Sequence, residues 1–237
     1  MKHYHYIFAG SGLASLFTVY RMMESGSFED KSILLLDPVT KQGNDRTWCY
    51  WEQGSGNWDA ITFRQWETAL FAGKHNRTAL DFKGYHYKMI RSADFYEHVL
   101  STLRKHRNIE FLQQKVLDFV DSGFNVLVKT ESESYTCNKL LNSIYNPALP
   151  SAQKKYPVLQ QHFIGWHVKT GSPVFDAEKP AFMDFSIPQN GNTRFMYVLP
   201  FSDSEAIVEY TLFSKDLLPE AEYQDSIKEA LKLIINS

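Results

Sequence analysis

Several features that mark particular classes of protein are scarce in this sequence. Its net charge is −2 over 237 residues, so no positive surplus favours binding to nucleic acid. The two cysteines, Cys49 and Cys137, lack metal-binding or redox spacing, which fits a reducing compartment. No apolar run approaches the roughly 20 residues of a membrane-spanning helix, and no internal repeat is visible. These absences favour one or two globular domains.

The histidines do not predict a metal site. His162 and His167 are five residues apart on one predicted strand, so their side chains face opposite sides. No carboxylate spacing completes a ligand set around any of the eight histidines. Structural roles are therefore favoured over metal binding.

The first residues have the pattern of a dinucleotide-binding βαβ unit. Residues 4–9 are an apolar run typical of a buried strand, and residues 13–23 have helical spacing. Between them, Gly10 permits a tight turn, and Gly12 lets the backbone approach a pyrophosphate at the helix N-terminus. The third glycine of the fingerprint is replaced by Ser15, which keeps this position small.

A second predicted strand, residues 32–36, ends in Asp37. This acid follows the glycines at about the spacing of 20 residues expected for a ligand of the ribose 2′-OH. An ordinary βαβ unit with a helix-capping acid is the alternative. The order of strand, glycine turn, helix, strand and acid favours a dinucleotide.

Arg91 is a further candidate for cofactor binding. It directly precedes Ser92, which we expect to cap a helix that extends to about His106. Arg91 is either a solvated charge or a donor to the cofactor's phosphates. Residues 45–52 also allow two interpretations, because their charges and large aromatic side chains fit a surface loop or a loop that faces cofactor or substrate.

The chain changes character near residue 150. Asn146-Pro147 and Pro150 break the pattern of strands, and the following strands have aromatic faces. We therefore predict an α/β fold with a Rossmann-like domain over residues 1–150, which includes inserted strands. Within it, residues 109–120 and 124–130 are predicted to be two paired strands joined by a turn at residues 121–123. The second domain, residues 151–237, is predicted to combine a mostly antiparallel sheet with a final helix from about Pro219. Residues 193–199 and 205–213 are predicted to form a hairpin of this sheet.

Glu209 is the strongest candidate for chemistry. Its strand, residues 206–213, is largely apolar on both faces, so we expect it to be covered on both sides. Burial disfavours the ionised carboxyl, raises its pKa and suits it to proton donation. The alternatives are a carboxylate paired with Arg194 or Lys169, or an edge-strand glutamate in water.

Asp184 has a similar setting between Met183 and Phe185. Two acids on neighbouring strands that face one apolar cleft would divide the roles of proton donor and acceptor. The sequence therefore suggests Asp184 as a second catalytic acid, a hypothesis that a fully active Asp184→Asn variant would exclude.

The chain resembles the bacterial flavin-type lycopene β-cyclases in motifs spread over most of its length. The fingerprint itself is shared by related flavoproteins and discriminates little, whereas the motifs that follow it include more specific ones. The matching segments are Gly10-Ser11-Gly12-Leu13-Ala14-Ser15, Leu36-Asp37-Pro38, Asp45-Arg46-Thr47-Trp48-Cys49-Tyr50-Trp51, Met89-Ile90-Arg91-Ser92-Ala93-Asp94-Phe95-Tyr96, Gly165-Trp166, Met183-Asp184-Phe185, Tyr197-Val198-Leu199-Pro200-Phe201-Ser202 and Val208-Glu209-Tyr210-Thr211.

The resemblance implies an FAD-binding fold of the aromatic-hydroxylase kind. It places the FAD loop on Gly10, Ser11, Gly12, Leu13 and Ala14, the ribose acid on Asp37 and the family's acidic motif on Glu209. The implied reaction closes an acyclic carotene end to a β-ionone ring without net redox change. A polyene offers only π electrons, so this reaction begins with protonation of a carbon and proceeds through a carbocation.

The implied cofactors are reduced FAD, which could stabilise the cation, and NAD(P)H as its reductant. The substrate is an apolar carotenoid, so we expect a cytoplasmic protein attached peripherally to the inner face of the membrane. Family members are longer, and their C-terminal part returns to the first domain. We expect that return segment to be absent here, which allows a second chain to supply it. A flavin monooxygenase and an inactive or split cyclase fragment are the alternatives.

Overall fold

The computed structural model describes residues 1–152 and 154–235. Its strands in chain order are β1 (Lys2–Ala9), β2 (Ile33–Leu36), β3 (Thr47–Gln53), β4 (Arg64–Trp66), β5 (Thr68–Ala72), β6 (Arg77–Asp81), β7 (Tyr85–Arg91), β8 (Ile109–Leu112), β9 (Val116–Asp121), β10 (Val126–Thr130), β11 (Ser134–Asn142), β12 (Gln160–Lys169), β13 (Ala181–Asp184), β14 (Thr193–Pro200) and β15 (Glu205–Ser214). Its α-helices are α1 (Leu13–Glu24), α2 (Ser92–Leu103), α3 (Ala148–Ala152) and α4 (Glu220–Ile235), and a 3₁₀ turn covers Asp59–Ile61.

The chain divides into two compact units. The first contains Met1–Trp48 and Ile90–Pro147, and the second contains Cys49–Met89 and Ala148–Ser237. Residues 49–89, which fall within the predicted first domain of residues 1–150, thus lie in the second unit. These residues belong to the second unit because β5 pairs in parallel with β13, which lies more than a hundred residues later in the sequence.

The first unit is built on a six-stranded sheet in the order β8-β2-β1-β11-β10-β9. Strands β8, β2, β1 and β11 are parallel, whereas β10 and β9 pair antiparallel at one edge. All four residues of β2 are buried, because this strand lies inside the sheet between β8 and β1. The predicted strand, glycine turn, helix and second strand are confirmed.

One prediction in this unit needs correction. Residues 109–120 do not form a single strand but two, β8 and β9, separated at residues 113–115. The first joins β2 in parallel, and the second joins β10 in antiparallel orientation. Sequence periodicity alone does not show that a run of strand-like residues divides into two strands, one in the parallel part of the sheet and one in the antiparallel part.

The second unit contains a six-stranded sheet in the order β12-β15-β14-β13-β5-β6. All of its pairings are antiparallel except β13 with β5, which confirms the predicted mostly antiparallel sheet and the β14–β15 hairpin. One face is covered by the predicted final helix, α4, whose buried residues Tyr223, Ile227 and Ala230 pack on Val208, Tyr210 and Leu212. Alternate residues of β15 therefore face α4, and the others face the opposite side.

A smaller sheet has the order β3-β7-β4. Its strand β7 carries Lys88, whose side chain is only 1% exposed. The ammonium donates to Glu52 at 2.7 Å and also to Asp59 and to the carbonyl of Gly54. A buried ammonium is tolerated because each of its three N–H groups has an acceptor.

Candidate functional site

The glycine turn after β1 holds a backbone conformation that requires glycine at its first position. Gly10 has a φ of +92°, and a Cβ atom there would collide with the hydroxyl of Ser143. That hydroxyl donates to the carbonyl of Ala9 at 2.9 Å, and Ser15 lies 3.3 Å from it. Ser15 is buried, so a small polar residue replaces the third glycine of the fingerprint without leaving its hydroxyl unpaired.

The N-terminus of α1 is open at Gly12. No side chain caps this helix, and an atom added at the Cα of Gly12 would meet nothing within 4 Å. The first N–H groups of the helix, from Leu13 and Ala14 onward, have no acceptor within their own helix. Open space, free donors and the positive end of the helix dipole fit the diphosphate of a dinucleotide.

Asp37 lies where the sequence predicts it, at the end of β2. Its carboxylate accepts the N–H of Ser11 at 2.8 Å and the N–H of Val39 at 2.9 Å, and Lys41 lies 3.2 Å away. Burial opposes ionisation of Asp37, but these donors outweigh it and lower the carboxyl pKa. The acid is therefore ionised and directed at the glycine turn.

A cavity of about 150 Å³ adjoins Asp37. It is lined by Leu35, Leu100 and Phe111, with Arg104 and Gln113 among its polar residues. An apolar slot beside an ionised acid has the chemistry needed to hold a base and its ribose. The glycine turn, Asp37 and this cavity therefore fit a dinucleotide such as FAD.

Arg91 is bound to Asp94 in the structure. Its guanidinium donates from Nε at 2.7 Å and from a terminal nitrogen at 3.1 Å to the two carboxylate oxygens. This fork-shaped contact raises the pKa of Arg91 and keeps the side chain beside the first turn of α2. Contact with a cofactor phosphate stays a prediction.

Ser92 does not cap α2, contrary to our expectation. The N-cap is Arg91, and Ser92 is the first helical residue. The hydroxyl of Ser92 instead accepts the N–H of Arg46 at 2.9 Å and donates to Asp45 at 3.0 Å. A serine before an apolar helix therefore anchors the preceding charged segment rather than its own helix.

Glu209 lies on an inner strand of the second sheet, between β12 and β14. Its cross-strand neighbours are Gly165 on β12 and Tyr197 on β14. Among the described residues, none forms a hydrogen bond or ion pair with its carboxyl. The expected alternative partners are engaged elsewhere, since Arg194 binds Glu222 at 2.6 Å and Lys169 lies 3.5 Å from Glu205.

Burial raises the pKa of Glu209 because removal from water penalises the carboxylate. Desolvation raises the pKa of the neighbouring Cys49 thiol to about 11. The hydroxyls of Tyr87 and Tyr197 hydrogen-bond to each other, and desolvation raises the pKa of both. All of these groups therefore favour their protonated forms.

An aromatic cluster adjoins this acid. We define it as Trp51, Phe82, Tyr87, Phe182 and Tyr197. Ring centroids are 4.5 Å apart for Trp51 and Phe82, 4.8 Å for Trp51 and Tyr87, and 5.3 Å for Tyr87 and Phe182. Such faces attract a cation by about 0.5–2 kcal/mol each. The charged and aromatic segment 45–52 thus contributes one of these rings through Trp51, while Trp48 packs on Phe95 at 5.3 Å.

The expected cleft shared by Asp184 and Glu209 is not formed. Strand β14 separates β13 from β15, so the two acids are not on neighbouring strands. Asp184 pairs with Met196, which pairs with Tyr210, and these residues occupy the opposite face from Glu209. The carboxylate of Asp184 accepts the N–H of Ser186 at 2.8 Å. The sequence setting of the two acids was similar, but strand register directs them apart.

The lycopene cyclase family model, described as "Lycopene cyclase protein", matches residues 6–234. The chain belongs to the lycopene cyclase family. This confirms the resemblance seen in the motifs. A search of curated proteins finds no match.

Solved structures share the fold. A geranylgeranyl bacteriochlorophyll reductase-like protein from Thermoplasma acidophilum matches with a TM-score of 0.69 at 10% identity, over 98% of this chain and 62% of its own. The halogenase PltM, also solved with FAD, matches with 0.64 at 13% identity, over 95% and 55%. A flavoprotein/dehydrogenase from Cytophaga hutchinsonii matches with 0.60 at 14% identity, over 89% and 56%. The predicted Rossmann-like α/β fold is confirmed, and this lycopene cyclase family member spans 55–62% of these three proteins.

Within residues 1–152 and 154–235, no helix is long and apolar enough to cross a membrane. In the same residues, no group of three or more histidine, cysteine or acidic side chains is arranged to hold a metal ion.

Sequence reasoning missed several residues of both sites. Ser143 and Lys41 support the glycine turn and Asp37, and Cys49 and Tyr197 surround Glu209. Pairing of the distant strands β1 and β11 brings Ser143 to the end of β1, and the register of the β14–β15 hairpin places Tyr197 beside Glu209. The motifs that contain Cys49 and Tyr197 were a usable signal, because both belong to segments shared with the family.

Proposed function

We propose that this chain belongs to a lycopene β-cyclase, in which it provides the FAD-binding fold and the proton donor Glu209. The observation that carries the proposal is the unpaired, desolvated carboxyl of Glu209 beside an aromatic cluster in a member of the lycopene cyclase family. An acid whose protonated form is favoured by desolvation suits the protonation of a hydrocarbon. The substrate is an apolar carotenoid with an acyclic end.

The residues of the first unit would hold FAD. The backbone of Gly10, Ser11, Gly12, Leu13 and Ala14 would bind the diphosphate, Asp37 would accept a ribose hydroxyl, and Arg91 would contact a phosphate. When bound, FAD reduced by NAD(P)H would supply negative charge that stabilises a carbocation without hydride transfer. The open N-terminus of α1 and the cavity beside Asp37 support this assignment.

Glu209 would start the reaction by donating its proton to a carbon of the terminal double bond. The resulting cation would be attacked by a second double bond of the same chain, which closes the ring. Loss of a ring proton, with the Glu209 carboxylate as acceptor, would restore a double bond and the acid. One proton enters and one leaves, so the product is an isomer of the substrate.

The aromatic cluster has two roles in this proposal. Its faces would stabilise the cation by cation–π attraction, and its apolar surface would keep out water, which would otherwise quench the cation. Asp184 is not assigned a step, because it faces the other side of the sheet.

The apolar character of the substrate also suggests where the enzyme lies in the cell. A carotenoid dissolves in the bilayer rather than in water, so we place the enzyme in the cytoplasm, peripherally on the inner face of the membrane. Since the chain spans 55–62% of its structural neighbours, a second chain could supply the remaining part of the enzyme.

Product mass after reaction in D₂O tests the proposal. The chain would be incubated anaerobically with lycopene, FAD and a chemical reductant. A cyclase gives an isomer that carries one deuterium per ring and consumes no oxygen. The related oxidoreductase folds favour a monooxygenase as the second candidate, and an oxygenated product formed only in air would establish it. Unchanged lycopene in the presence of FAD-loaded protein would contradict an active cyclase in this chain and indicate an inactive or split fragment.

A further inference from the structure

We propose that Gly165 is a positioning residue whose missing side chain provides the space in which the Glu209 side chain lies. The inference rests on the proposed function of Glu209 and names a second residue on which the direction of its carboxyl depends. Neither the family match nor the structural neighbours assign a role to this glycine.

The contact between the two residues is close. Gly165 and Glu209 are direct cross-strand partners of β12 and β15. A Cβ atom built on Gly165 would lie 2.8 Å from Cγ, 3.5 Å from Cδ and 3.3 Å from Oε1 of Glu209. The Glu209 side chain therefore runs over the Cα of Gly165, and any other residue at position 165 would displace it.

The backbone does not require glycine at this position. Gly165 is in the interior of the ten-residue strand β12 and does not have the positive φ of Gly10 or Gly191. Glycine weakens a strand interior because it costs entropy and offers no side chain for packing. Its presence there is explained by the close approach of another group, which in this case is the Glu209 side chain.

Displacement of Glu209 would matter for proton transfer. A proton donor must be within hydrogen-bond reach of the atom that it protonates, and a misplacement of about 1 Å can cost about 100-fold in rate. On one flank, the carboxyl is bounded by Tyr197 of β14. The open Cα of Gly165 leaves room on the other flank, towards the edge strand β12.

The test compares Gly165→Ala with Gly171→Ala. Gly171 follows β12, and an added Cβ there meets nothing within 4 Å, so it controls for the substitution itself. We expect Gly165→Ala to lower kcat for lycopene cyclisation at least about tenfold, with unchanged FAD content and an equal or higher Tm. The control should keep its kcat within about twofold, as expected for a substitution away from the site.

A readout without turnover separates this inference from the proposed reaction. The carboxylic C=O stretch of Glu209, assigned by its loss in Glu209→Gln, can be titrated by infrared difference spectroscopy. In Gly165→Ala we expect its midpoint to move by at least about half a pH unit, and in Gly171→Ala we expect no shift. An unchanged midpoint and wild-type kcat would overturn the positioning role, and so would a loss of Tm that accounts for the lost activity. If Glu209→Gln retains cyclisation, the proposed function fails, whereas a moved midpoint still establishes the contact.

Discussion

The carboxylate of Asp37 accepts a hydrogen bond of 2.8 Å from the backbone N–H of Ser11. This bond joins the end of β2 to the glycine turn after β1 and keeps an ionised acid at the N-terminal end of α1. The two motifs that identify a dinucleotide fold in the sequence are therefore one structural unit. A ribose that binds Asp37 would approach the same turn that we propose binds the diphosphate.

Removal of the Asp37 carboxylate should weaken FAD binding. We expect Asp37→Ala to raise the Kd for FAD at least about tenfold, the equivalent of about 1.4 kcal/mol, because a charge-assisted acceptor is lost. Quenching of flavin fluorescence during titration measures the Kd. The control is Asp30→Ala, since Asp30 forms a surface ion pair with Lys31. Equal affinities of the two variants would exclude Asp37 as a ribose ligand.

Arg91 offers a test of phosphate binding. If its guanidinium leaves Asp94 to contact a phosphate, Arg91→Ala should weaken FAD binding about tenfold, and Asp94→Asn should strengthen it by freeing the arginine. Both values come from the same fluorescence titration at several salt concentrations. If Arg91 only stabilises the first turn of α2, both variants should lower the Tm and leave the Kd for FAD unchanged.

Lys88 should be important for stability rather than for chemistry. Its buried ammonium bridges Glu52 and Asp59. Its loss removes the cation from both carboxylates, of which Asp59 keeps the N–H of Gly56, so we expect Lys88→Met to lower the free energy of unfolding by about 3 kcal/mol. Urea unfolding monitored by tryptophan fluorescence measures this change. The exposed Lys74 supplies the control, because Lys74→Met should be nearly neutral. A neutral Lys88→Met variant would show that burial of this pair offers no net stabilisation.

The raised pKa of Glu209 gives the reaction a definite pH dependence. The active form is the protonated acid, so kcat for cyclisation should be maximal below the raised pKa and should fall as the pH rises through it. The same shift means that the native state binds this proton more tightly than the unfolded chain does, so the stability contribution of Glu209 rises as the pH falls. The pH profile of kcat for the wild type measures the first effect, and the pH profiles of Tm for the wild type and for Glu209→Gln measure the second. A kcat that rises with pH through this range would contradict a protonated donor.

Much of the fold could be predicted from local sequence. The pattern of residues 4–37 predicted β1, the glycine turn, α1, β2 and the position of Asp37, because a βαβ unit is a local structure whose sequence features follow in a fixed order. The β14–β15 hairpin and the final helix were found for the same reason. The assignment of residues 49–89 to the second unit could not be predicted, because β5 and β13 are far apart in sequence and pair only in the folded chain.

The candidate site shows the same limit. The apolar faces of β15 predicted a buried Glu209, whereas the structure shows a partly buried side chain whose desolvation raises the pKa of its carboxyl. Asp184 and Glu209 do not share the cleft that we expected. A bulge and the register of β13 decide which face of the sheet Asp184 occupies, and neither the bulge nor the register leaves a local signal in the sequence. Ser92 was misassigned as a cap because its sequence context suits a cap equally well, while the segment that it anchors through Asp45 is remote in sequence.

The most direct test of the central claim compares the wild-type chain with Glu209→Gln in bacteria that accumulate lycopene. Pigments would be separated by chromatography, and the FAD content of the purified proteins would be measured in parallel. We predict γ- or β-carotene from the wild type, and unchanged lycopene with undiminished FAD from Glu209→Gln. Cyclised carotene from the glutamine variant would contradict the role of Glu209 as the proton donor.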